Sequence, residues 1–204
     1  MVVGYWDAQG FDALVPGNAS TQTSAVNEMM ASEGSASNYT DYCQPIDDSN
    51  INSAPLPDKS EPPLGDEHPD ECVADYMKTS QSFHSNYYGW SYDTHVGPAM
   101  RDYVELHVQV DHAHDLHLFL LPNGTLTWDV YRAEIEAGRP VVFLVDTNGD
   151  GWTDHFITAV GYDTIGGTKK YACLNTWDRN IHWFNFAQIG RGRPWGIYSA
   201  TTFQ

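Results

Sequence analysis

An α+β fold is what the order of patterns along this chain predicts: a helical, loop-rich stretch over 1–126, then short strands joined by turns over 127–204. Two observations carry that division. Before residue 127, apolar positions recur at helical spacing, as Ala25, Val26, Met29 and Met30 do within 23–32 ahead of a stop at Gly34. After it, apolar runs such as 141–145 are short and β-branched, and Gly, Asn and Asp clusters bound them. All 204 residues are read as one domain whose two lobes fold as a unit, long enough to bury a sizeable core.

Each element has a local reason. Met1-Val2-Val3-Gly4-Tyr5-Trp6-Asp7 reads as the end of a helix. Residues 44–70 carry Pro45, Pro55, Pro57, Pro62, Pro63 and Pro69 among acids, a pattern for a long surface excursion. Two short helices are expected over 72–80 and 98–108. Thr127 caps a helix over 128–137, which Gly138 ends with Pro140 just beyond. Strands follow at 141–145 and 155–162, and Gly166-Gly167 turns the chain into a third over 170–177. Two more are expected at 182–186 and 195–202.

Composition then bounds the function. Hydrophobic residues at 41% and aromatics at 13% fit a folded protein. Ten Lys and Arg against 27 Asp and Glu leave a net charge of −17, which repels phosphate backbones and anionic membranes. Nucleic acid is therefore excluded as a partner. The longest apolar runs, 116–121 and 141–145, fall far short of the ~20 residues that span a bilayer. Cys43, Cys72 and Cys173 lack the paired spacing of a zinc set. Cys43 and Cys72 lie in loop-rich acidic sequence where a disulfide is open to them, and Cys173 reads as a core thiol. The acid balance and that pairing point to a secreted, extracellular setting.

Two segments carry chemistry together, Asp154-His155-Phe156-Ile157-Thr158-Ala159-Val160-Gly161-Tyr162 and Tyr171-Ala172-Cys173-Leu174-Asn175-Thr176-Trp177. A hairpin would let His155 and Asn175 meet. An imidazole acting as a general base needs its tautomer fixed by a second group, and an Asn carbonyl does this without adding charge. Trp177 would cover that hydrogen bond. A structural reading stands beside it, in which a His and an Asn merely satisfy each other at a strand edge.

The D-H-x-x-x-x-V-G-Y strand followed by N-T-W resembles the papain-like cysteine peptidases. Glu136-Ala137-Gly138-Arg139-Pro140-Val141-Val142 is similar to a stretch of their bacterial C39-like branch, and Gly4-Tyr5-Trp6-Asp7 resembles the tail of that branch's first helix. The resemblance implies a papain-like fold, a helical lobe packed on an antiparallel sheet or half-barrel. It also implies a peptide or protein substrate and a Cys-His-Asn mechanism with His155, Asn175 and Trp177 in the site. The family's nucleophilic Cys begins that first helix and would fall before Met1. Cys43 and Cys72 follow acids, which raise a thiol's pKa. The chain is thus expected to be a fragment, or the product of an internal start, and inactive as given.

Beside the histidine, Asp146-Thr147-Asn148-Gly149-Asp150-Gly151-Trp152-Thr153-Asp154 spaces its donors like a calcium loop. Asp146, Asn148, Asp150 and Asp154 supply side-chain oxygens, Gly151 the sharp turn and Trp152 a main-chain carbonyl. Ile157 stands where the bidentate Glu of a complete loop would be, and the same residues also read as an acid-rich turn. Asp111, His112, His114, Asp115 and His117, with His107, fit no metal-ligand spacing and read as a surface connection. Two functions are therefore expected in competition: a cysteine-peptidase-like hydrolase, and a non-catalytic extracellular calcium-binding or interaction module that keeps the fold.

Overall fold

The structure, a computed structural model, describes residues 1–32, 72–77, 79–82, 86–109 and 114–204, with backbone alone over 80–82 and 86–90. It is mixed α and antiparallel β, and it divides into two compact units: Met1–Tyr5 with His112–Gln204, and Trp6–Asp111.

In the second unit, Thr23 caps helix α2 (Ser24–Met30) by accepting from the Val26 N–H. Helix α3 is one turn (Val73–Tyr76), and a two-stranded ribbon pairs β1 (Ser80–Ser82) with β2 (Asn86–Trp90). Helix α4 (Asp93–His107) buries Val96, Ala99, Met100, Tyr103 and Val104 along one stripe. The Tyr103 hydroxyl donates to the Leu14 carbonyl at 3.0 Å, and burial pushes its pKa up to about 12.

The first unit holds the sheet. Strands β3 (Asp115–Phe119), β4 (Val141–Asp146), β5 (His155–Ile165), β6 (Thr168–Leu174), β7 (Ile181–Asn185) and β8 (Gly196–Phe203) run in the order β3-β8-β4-β5-β6-β7, every pair antiparallel. Helix α5 (Trp128–Glu136) lies on one face, where Trp128 and Tyr131 join Val141, Phe143, Val145, Ile157, Tyr171 and Ile197 in one core. Tyr131 satisfies its buried hydroxyl by donating to the Gly161 carbonyl at 2.5 Å. Helix α1 (Val2–Ala8) begins in this unit, and the Tyr5 hydroxyl donates to the Gly138 carbonyl at the end of α5.

The expected β-rich half thus begins earlier than residue 127. The 111–117 segment, expected as a surface connection, contributes edge strand β3, whose Leu118 packs on the core while Leu116 faces water. Its two leucines stand two positions apart, on one side of the strand, so the sequence shows no in–out alternation there. The expected 72–80 helix stops at Tyr76, and the helix expected from Pro98 begins five residues earlier at Asp93, with Pro98 inside it. The 44–70 excursion and Cys43 lie outside the described residues, so the Cys43–Cys72 pairing does too; Cys72 is buried and forms no disulfide with a described residue. No helix among the described residues is long and apolar enough to cross a membrane.

Candidate functional site

The β5–β6 ladder sets the site. Its register pairs Thr158 with Leu174, and continuing it past the end of β6 places His155 opposite Trp177. The two rings stack there, with centroids 4.8 Å apart and planes 25° from parallel. The strand expected to run through Trp177 ends at Leu174; Asn175, Thr176 and Trp177 form a turn instead.

That turn is built by the Asn175 side chain. Its Oδ1 accepts from the Trp177 N–H at 3.1 Å and the Asp178 N–H at 3.4 Å, an Asx turn buried to 4% exposure. The carboxamide is therefore not what holds His155. His155 Nε2 lies 2.7 Å from the Asn175 main-chain oxygen and 3.0 Å from Thr176 Oγ1. A carbonyl only accepts, so Nε2 carries the proton, and in the neutral ring Nδ1 is the nitrogen with the lone pair. The residues expected to meet do meet, through the backbone of one of them.

An aromatic wall extends from the stack. Trp177, 61% exposed, meets Trp195 edge-to-face at 5.4 Å, and Trp195 stacks on Phe184 at 4.0 Å. Trp195 has φ 65° and Thr176 φ 70°, left-handed conformations that are strained for bulky and β-branched residues. Below the turn, Asp178 Oδ1 lies 2.9 Å from His182 Nε2, and that bond holds the Asp178 carboxyl below its ordinary value. From the sequence, Thr176 enters only as part of the Asn-Thr-Trp run, and no site role falls to Asp178, His182 or Trp195; the Asn-Thr-Trp-Asp run, an Asx-turn pattern, is the signal that points to Asp178.

Neither described cysteine has a thiol suited to this chemistry. Cys72 and Cys173 are buried, and burial raises both thiols, Cys173 to about 12. Neither is a thiolate near neutral pH.

In the 146–154 loop each expected side-chain donor serves the loop's own backbone or its neighbours. Asp146 is fully buried; its Oδ1 accepts from the N–H groups of Gly149 at 2.6 Å and Asp150 at 3.3 Å, and its Oδ2 from Gly151 at 2.7 Å. Asn148 Oδ1 takes the Asp150 N–H, Asp150 Oδ1 the Trp152 N–H, and Asp154 the N–H and hydroxyl of Thr147. Trp152 is 75% exposed. Gly149 is required where it stands: at φ 79°, a Cβ would sit 2.8 Å from the Pro194 nitrogen. Among the described residues no group of three or more His, Cys, Asp or Glu side chains is placed to hold a metal, the 111–117 cluster included as far as it is described.

The chain matches no family model, and neither a curated protein nor a solved structure is detectably similar to it.

Proposed function

We propose that this chain carries the base half of a cysteine-peptidase-like site acting on peptide bonds in a peptide or protein. One observation supports this above the rest: His155 is held through Nε2 by the Asn175 carbonyl beneath the Trp177 ring, which leaves Nδ1 as the proton acceptor. In such a reaction a thiol gives its proton to Nδ1 and the sulfur attacks the peptide carbonyl. The imidazolium then protonates the departing amine, leaving an acyl-enzyme that water hydrolyses. The papain-like fold and the C39-like relationship belong to this proposal and rest on the residue pattern given above.

One observation favours the competing reading, an extracellular interaction module without chemistry. Both described cysteines are buried with raised thiol pKa values, so neither serves as the nucleophile. The calcium expectation belongs to that second reading.

A labelling experiment separates the two. The chain, expressed together with any residues encoded ahead of Met1, is treated with a thiol-directed peptidase inhibitor. The hydrolase reading expects stoichiometric labelling that His155→Ala abolishes and that Cys43→Ala, Cys72→Ala and Cys173→Ala leave intact. Labelling that survives His155→Ala removes His155 as the base.

A further inference from the structure

We propose that Thr176 is a positioning residue for His155, its hydroxyl oxygen serving as second acceptor for the Nε2 proton; as a statement about catalysis this rests on the reading of His155 as the base. Two oxygens converge on that one ring nitrogen, the Asn175 carbonyl at 2.7 Å and Thr176 Oγ1 at 3.0 Å. Each does something the other does not. The carbonyl has only lone pairs, so it fixes the tautomer with the proton on Nε2. The hydroxyl approaches the same edge from the next residue. With two acceptors, rotation of the ring about its Cβ–Cγ bond breaks two bonds rather than one. Stacking on Trp177 at 25° fixes the plane of the ring but leaves that edge free; the two oxygens choose the edge.

The backbone at Thr176 marks the same purpose. A β-branched residue at φ 70° sits in a region that Gly or Asn enters with far less strain. Neither of those places a hydroxyl one carbon from the chain. Thr176 is kept there because the Asx turn over-determines its conformation: Asn175 Oδ1 takes the N–H groups of Trp177 and Asp178, immediately beyond it. Strain at this position thus coincides with the group that reaches the imidazole. When the ring takes a second proton, both oxygens still accept from Nε2, so the same arrangement serves the neutral and the charged base.

Solvent exchange of the His155 Nε2 proton, followed by 15N-edited NMR of the imidazole, tests this on the chain as it stands and needs no nucleophile. Thr176→Val keeps the shape and removes the oxygen; exchange accelerates by about fivefold, the loss of one ordinary hydrogen bond. Thr176→Ser returns the hydroxyl and restores the original rate. Thr176→Gly adopts φ 70° without strain and keeps the turn should Val perturb it; it lacks the hydroxyl and exchanges fast as well. If backbone conformation alone held the ring, Gly would keep the wild-type rate. A wild-type rate in either the Val or the Gly protein overturns the assignment. This outcome is independent of the inhibitor labelling, so failure there and failure here are told apart.

Discussion

Removing the Asp146 carboxylate is the sharpest way to ask what the 146–154 loop is for. Its two oxygens receive strong bonds from the Gly149 and Gly151 N–H groups, at 2.6 and 2.7 Å, and a weak one from Asp150 at 3.3 Å. The Asp150 N–H has a better acceptor in Asn148 Oδ1 at 2.8 Å, so it loses little. Two charge-assisted bonds remain to be counted. Each contributes about 1.5–3 kcal/mol, and water reaches part of the opened loop. Asp146→Ala should therefore cost about 3 kcal/mol. Asp146→Asn keeps one acceptor but turns an amide toward the other N–H, and should cost about half as much. The main-chain carbonyl of residue 146, which accepts from the Trp195 N–H, is untouched by either change. Urea unfolding followed by near-ultraviolet circular dichroism measures both. An Ala variant within about 1 kcal/mol of wild type, or an Asn variant as costly as Ala, would refute the claim that this side chain builds the loop.

Calcium acts on the same carboxylates: if the loop takes the ion, Asp146 and Asp154 give up lone pairs that now face N–H groups, and excess EGTA lowers the melting temperature of protein prepared with calcium. An unchanged melting temperature removes calcium from the second reading. The buried thiols should resist modification: Cys173, raised to about 12, and Cys72 react with an aromatic disulfide at pH 8 only after denaturant is added, as site-resolved peptide mapping would show. Rapid reaction of either in native protein contradicts their burial. Asp178 gives a pH dependence of definite sign. Its carboxyl is lowered in the folded state from 3.8 by the bond to His182, so the stability it contributes is present above 3.8 and is lost as pH falls through the lower folded value. Asp178→Asn should therefore lose stability relative to wild type at pH 5, and the gap should close toward pH 2; a gap constant over that range rejects the pair.

What the sequence made legible, and what it hid, follows from which interactions are local. Thr127 caps its helix as the sequence predicts, because capping depends on a hydroxyl and an N–H three residues apart, here Thr127 Oγ1 and Val130 at 3.2 Å. The two glycines at 166–167, both at positive φ, turn β5 into β6, and that hairpin brings the 155 and 175 neighbourhoods together. Edge strand β3 was hidden because its pairing is with β8, eighty or more residues away, and because Leu116 and Leu118 fall on one side of a short strand and mark no alternation. The Trp195 wall was hidden for the same reason: it takes a contact across the sheet unit to show that Trp195, Trp177 and Phe184 share one surface.

The Asn175 side chain shows how two local rules compete for one residue. Its carboxamide was expected to reach a histidine 20 positions away, yet the next three residues offer N–H groups at once, and a short side chain satisfies near donors before far ones. The turn that results swings the chain so that the backbone oxygen of the same residue points at His155 instead. An Asn at this position thus serves the imidazole indirectly, by shaping the peptide that does the accepting. Any residue able to cap that turn would keep the 2.7 Å contact. A residue unable to cap it would lose the contact even though the atom that makes it is common to every amino acid. The chemistry of the pair accordingly sits in the turn 175–178, and Thr176, strained within it, is where a change should be felt first.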